Sequence, residues 1–219
     1  MTSFLSTDRP DQIYRLITPL FIHAGILRCI FTVVGQMTIM RNFETMIGWH
    51  RLSIIYFISG IGGYLASSIF VPYMPEVGPA GSQGGVLGAL IINVLYNWHF
   101  IRRPRKVLLI HLAIAAFLFL TGFVPYIDNW AQLFGFVIGC LLAAALIPYF
   151  HFGKQTRHQR IIIVVGSLSI TFLIFVILFT TFYAYPIIDN PVFSWLNCPF
   201  TNSKVCDHQS LILKNWLPI

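Results

Sequence analysis

EVGPAGSQGGVLGAL, residues 76–90, passes from a turn-forming stretch into an apolar segment that carries small residues at helical spacing. Gly81, Gly85 and Ala89 recur every four residues, with Gly84 and Gly88 beside them. Such a stripe lets two helix backbones approach closely, which is how helices associate inside a bilayer. The same segment places a serine, Ser82, among glycines at the start of a helix, the setting that a buried serine nucleophile needs. Whether it is an active loop or the remains of one depends on the other parts of the chain.

Outward from this segment the sequence reads as membrane protein. Of 219 residues, 57% are hydrophobic and only 10% charged, and the mean hydropathy is +0.76. A soluble domain of that composition would expose apolar surface it could not cover. Apolar runs of roughly 20 residues predict six spans, about 17–40, 52–72, 83–100, 107–125, 130–150 and 161–184. The expected fold class is therefore all-α, a polytopic transmembrane helical bundle over 17–184, preceded by a lumenal segment at 1–16 and followed by an irregular lumenal tail at 185–219.

The net charge of +7 does not point to nucleic acid, because the cations lie in short loops, where they orient spans. Arg41, Arg51, Arg102, Arg103, Arg105, Lys106, Lys154, Arg157 and Arg160 fall on one side, which predicts that side to be cytosolic. Arg9, Arg15, Lys204 and Lys214 fall on the other, with six of the seven acids. Both termini are then lumenal or extracellular. Residues 1–19 contain no apolar core that could carry an N-terminus across a membrane, so a further span upstream of Asp8 is expected.

Small residues also recur at Ser59, Gly63 and Ser67 in the second span and at Gly135 and Gly139 in the fifth, so the second, third and fifth spans are expected to form the core. Cys29 and Cys140 lie in spans. Cys198 and Cys206 lie in the outer tail, where an oxidising compartment favours a disulfide over two free thiols. The chain has no HExxH, CxxC or phosphate-binding glycine loop, and no cofactor or metal is expected.

Three separated stretches, LITPLFIHAGILRCIFTVVGQM (16–37), GPAGSQGGVLGAL (78–90) and IDNWAQLFGFVIG (127–139), together resemble the rhomboid superfamily of intramembrane serine proteases, and ETMIGWHR (44–51) and GYLAS (63–67) keep the same register. The resemblance covers the whole chain. It implies a G-x-S-G nucleophile loop and an A-H-x-x-G base helix, a dyad in which imidazole takes the hydroxyl proton. Here the first frame reads Gly78, Pro79, Ala80, Gly81, which puts Ala80 at the nucleophile position. The second reads Ala131, Gln132, Leu133, Phe134, Gly135, which puts Gln132 at the base position. The oxyanion pair H-x-x-x-N, counted from HAG, falls on Arg28 and Thr32. Pro79 has no N–H to offer an oxyanion. Ser82 lies about 200° around the helix from Ala80.

Proline before the missing serine, together with DRPDQIYRL (8–16) and HAGILRC (23–29), is similar to the inactive branch of the superfamily. That resemblance implies a pseudoprotease of the endoplasmic reticulum and Golgi, reaching the cell surface, that binds transmembrane clients: an ADAM-family sheddase and growth-factor precursors. Inactive rhomboids usually keep the later histidine, replaced here by Gln132, and have histidine where Arg28 stands.

His23 is expected to be a hydrogen-bonded structural residue, and His111 an edge residue. Arg28 is expected to face the bundle, because an arginine at mid-span costs about 2.5–3.5 kcal/mol on insertion scales; it serves either as a polar handle for a client helix or bonds Gln36, Thr32 or a carbonyl. Two rival functions predict different things. An active intramembrane protease requires cleavage that depends on Ser82, and a transporter or channel requires several ionisable groups along a path, where only Arg28 lies deep in a span.

Overall fold

The computed structural model describes residues 13–23, 25–71, 77–122, 128–148 and 156–184. Every regular element among them is helical. Two 3₁₀ turns, Ile13–Leu16 and Thr18–Phe21, precede a rod made of α1 (Ile26–Gly35), a π-helical segment (Gln36–Met40) and α2 (Arg41–Ile47). Then come α3 (Trp49–Phe70), α4 (Ala80–Tyr96), α5 (Pro104–Thr121), α6 (Asn129–Leu146) and α7 (Thr156–Ala184). Counting the first rod once, six helical rods occur among the described residues, and the bundle is all-α as the apolar runs predict.

Each boundary has a local cause. Gly48, at φ 89°, takes a backbone conformation that favours glycine and separates α2 from α3. α3 stops at Val71, which precedes Pro72 and so is pushed out of the helical region. α4 starts after Gly78 (φ 100°) and Pro79. α6 opens on Asp128, whose carboxylate accepts from the backbone N–H groups of Trp130 and Ala131, both at 2.9 Å.

The first span differs from the expected 17–40. Pro19 and the left-handed Gly25 (φ 95°) confine the preceding apolar residues to the short 3₁₀ turn, and the helix starts only at Ile26. It also runs past residue 40 through the polar Arg41, Asn42 and Glu44, because Phe43 and Ile47, one turn apart, are buried in a core cluster with Leu52 and Ile55.

α3, α4 and α6 form the core, the three elements whose small residues predicted it. A Cβ on Gly63 would lie 2.5 Å from the carbonyl oxygen of Ala131, and one on Gly84 2.5 Å from that of Gln132. Gly85 and Gly139 are in backbone contact, as are Gly81 and Gly135. α7 packs on α6 and α3, and α5 chiefly on α4. α3, α6 and Arg157–Ala184 of α7 are long and apolar enough to cross a membrane, and α4 is a shorter apolar helix. Only 17% of the α7 window is buried, against 61% for α3, which puts α7 at the rim. The tail at 185–219, with Cys198 and Cys206, lies outside the described residues.

Candidate functional site

The start of α4 lies at one end of the seam, between α3 and α6. Pro79, Ala80, Gly81 and Ser82 are all buried, with Ala80 only 6% exposed. A Cβ on Gly81 would lie 3.2 Å from the Ala131 carbonyl oxygen and 3.3 Å from that of Gly60, so no space remains on that side. The loop is also covered from outside. The N–H of Gly78 donates to the Pro19 carbonyl at 3.1 Å, which ties the residues just before α4 to the 3₁₀ turn. Leu20, 2% exposed, follows Pro19 and packs over Gly60 next to the Ser82 side chain. Reading the sequence as a continuous span over 17–40 missed this cover; the signal for it was the Thr18–Pro19 pair, where proline suits the first turn of a short helix.

Ser82 is fully buried and donates its hydroxyl to the Tyr56 backbone carbonyl across the α3–α4 contact, at 2.8 Å. No described histidine is hydrogen-bonded to it. The base frame is nearby in space: Gln132, 8% exposed, is near the start of α6, α4's partner helix, with its carbonyl against Gly84. Gly135 and Gly139 meet Gly81 and Gly85. The two sequence frames, Gly78–Gly81 and Ala131–Gly135, are thus brought together, as a pair of facing helix starts.

The other predicted positions are farther apart. Thr32 is buried (6% exposed) on α1, outside the α3–α4–α6 seam. Arg28 belongs to the backbone of α1, but its side chain lies outside the described residues. Gln36, offered above as a partner for it, donates its amide N–H to the Tyr56 hydroxyl at 3.0 Å. His23 is half-buried and differs from expectation: its Nε2 is buried without a hydrogen-bond partner. His23 lines a cleft beside the first rod. His111 stays at the edge, with Nδ1 2.7 Å from the Val107 carbonyl of its own helix. No group of three or more metal-ligating side chains occurs among the described residues.

That cleft, about 880 Å³, opens between the first rod and α3 and is lined by His23, Gln36, Met37, Met40, Tyr56 and Phe57 among others. The π-helical segment runs along it. Such segments often occur at functional positions, and this one presents Gln36 to Tyr56.

A Rhomboid domain profile matches residues 10–149, well over half of the chain. The chain belongs to the rhomboid family. It is 46% identical over 209 residues to inactive rhomboid protein 2 of Homo sapiens, and 43% identical over 213 residues to inactive rhomboid protein 1 of the same organism. To inactive rhomboid protein 1 of Danio rerio it is 42% identical over 212 residues. In each case the match takes in 95% of this chain and 24% of the relative, so the chain spans about a quarter of the length of these proteins. The likeness to the inactive branch read from Pro79, DRPDQIYRL and HAGILRC is borne out.

Proposed function

We propose that this rhomboid bundle is a pseudoprotease that binds transmembrane clients without cutting them and regulates their trafficking or maturation in the secretory pathway. The observation that carries the reading is the state of the α4 start: Ala80, at the position read from the resemblance as the nucleophile's, is packed and has no hydroxyl, and the neighbouring hydroxyl of Ser82 is committed to the Tyr56 carbonyl. Gln132 at the base position is an amide, which cannot take a proton from a serine near neutral pH. Removing a nucleophile or its base costs on the order of a millionfold in the subtilisin series, and Pro79 withdraws a backbone donor from the oxyanion side. The names of the relatives agree with that reading.

Client binding draws support from what the fold leaves open. The seam is closed, but the cleft along the first rod offers apolar surface and the Gln36–Tyr56 pair, the kind of contact worth about 0.6 kcal/mol on average between membrane helices. Clients held by a few such contacts would be released during transport. The clients we propose are an ADAM-family sheddase and growth-factor precursors, met in the endoplasmic reticulum and accompanied toward the Golgi and cell surface.

Co-precipitation of the full-length protein with sheddase and growth-factor precursors from cells tests this. The expected result is capture of an immature precursor together with no cleavage of a model transmembrane substrate. A cleavage product that disappears on Ser82→Ala would overturn the inactive reading, and absence of any such precursor would overturn the client reading.

A further inference from the structure

α3 runs antiparallel to α4, since Gly63 faces Gly81 while the earlier Ser59 faces Gly85. Arg160 near the start of α7 reaches Tyr96 at the end of α4 and the Ala144, Ala145 and Ile147 carbonyls at the end of α6. α3, α5 and α7 therefore begin at one end of the bundle, where α4 and α6 finish.

All three begin in the same unusual way. None has an acid in its first turn, and each has cations there: Arg51 in α3, which also donates to the Ile47 carbonyl at the end of α2, Arg105 and Lys106 in α5, and Arg157 in α7. A cation near a helix N-terminus faces the positive end of the helix dipole, which is unfavourable where nothing else partners it. At the opposite end α6 follows the favourable pattern, with Asp128 as its cap. Glu44 is the only described carboxylate at the basic end. A general preference for positive charge on one side of a membrane explains the sign but does not require the charges to sit on helix starts, nor to be arginine.

The densest group is Arg102, Arg103, Arg105 and Lys106 around Pro104, all four exposed. The apolar run Val107–Leu108–Leu109–Ile110 begins immediately after Lys106 and fixes the depth of the group at headgroup level. α5 has no fully buried side chain among its described residues and packs chiefly on α4, so the group faces the bilayer surface instead of the bundle interior. Phe100, 65% exposed, precedes it as an interfacial aromatic. Three of the four cations carry guanidinium forks, which match phosphate oxygens two at a time where lysine offers a single point charge.

We propose that Arg102, Arg103, Arg105 and Lys106 form a seat for the phosphorylated headgroup of a polyphosphoinositide in the leaflet at the basic end of the bundle. The ligand's negative charge would relieve the dipole penalty and saturate the arginine forks together.

The test uses the whole chain purified in detergent and titrated with a short-chain phosphatidylinositol bisphosphate, binding being followed by native mass spectrometry. Replacing all four residues by Gln should weaken binding by roughly a thousandfold, since each cation near an anionic surface contributes about 1 kcal/mol. The charge-conserving triple variant Arg102→Lys, Arg103→Lys, Arg105→Lys should also bind several-fold more weakly, while phosphatidylserine should bind less well than the bisphosphate to the unmodified protein. Unchanged binding by either variant would overturn the proposal. So would equal competition by free inositol trisphosphate or by a polyglutamate peptide, which would assign the surface to a soluble anion or an acidic protein. If the fourfold variant fails to fold, the lysine variant alone decides.

Discussion

Arg160, near the start of α7, holds its guanidinium 5.5 Å from the centre of the Tyr96 ring at the end of α4. The same group donates to the carbonyls of Ala144 and Ala145, each at 2.9 Å, and of Ile147 at 2.7 Å. One cation thus fastens a rim helix to two core helices and satisfies carbonyls that the end of α6 leaves without intrahelical partners. Arg160→Ala should lower stability by about 2–3 kcal/mol, the range for hydrogen bonds to a charged group at a helix C-terminus. Arg160→Lys should recover only part of it. Thermal unfolding in detergent measures both.

The α4–α6 seam predicts a contrast between glycines. Any side chain at Gly139 meets the backbone of Gly85, which has nowhere to move, whereas Gly166 on α7 has nothing within 4 Å of its absent Cβ. Gly139→Leu should cost at least about 1–3 kcal/mol, the usual range for overpacking, and reduce yield of folded protein. Gly166→Ala should be neutral or stabilising by up to about 1 kcal/mol, from helix propensity. Parallel unfolding curves separate the two.

Ser82→Ala removes the hydroxyl that bridges α4 to the Tyr56 carbonyl. A loss of about 0.6 kcal/mol is expected, typical of a side-chain hydrogen bond between membrane helices. A fluorophosphonate probe that labels activated serines should mark neither the original protein nor this variant.

Placing a serine and a histidine at the two positions read from the resemblance as nucleophile and base, Ala80→Ser with Gln132→His, should not produce detectable cleavage of a model transmembrane substrate. Pro79 still lacks its N–H, and Leu20 still covers the neighbouring Gly60. Peptide products in a gel-based assay would refute this.

Asp128→Ala should weaken α6 by about 1 kcal/mol through loss of the cap to Trp130 and Ala131. Because α6 carries Gly135 and Gly139 against α4, the melting transition should move as a whole instead of splitting in two.

The core was readable from the sequence because its signal is local and chemical: small residues spaced by four at Gly81, Gly85 and Ala89, and again at Gly135 and Gly139, mean close backbones whatever lies around them. The pairing of the α4 start with the α6 start was legible for the same reason, since Gly81 and Gly85 meet Gly135 and Gly139. The first span was not. Hydropathy sums over residues 17–40 without seeing that Pro19 and Gly25 redirect the chain, so a strap with Leu20 beneath it was read as helix. His23 misled for a related reason: a polar residue in an apolar stretch predicts a partner, but the partner depends on where neighbouring rods lie, which no local pattern encodes.

Glycine-to-glycine contact between α4 and α6 leaves no rotamers to rearrange, so that part of the molecule has few ways to yield. Compliance is left to the periphery: the first rod with its π-helical segment, and the sparsely buried α5 and α7. A client of the kind proposed would meet these outer rods before the stiff seam, and any adaptation to its shape would have to come from them.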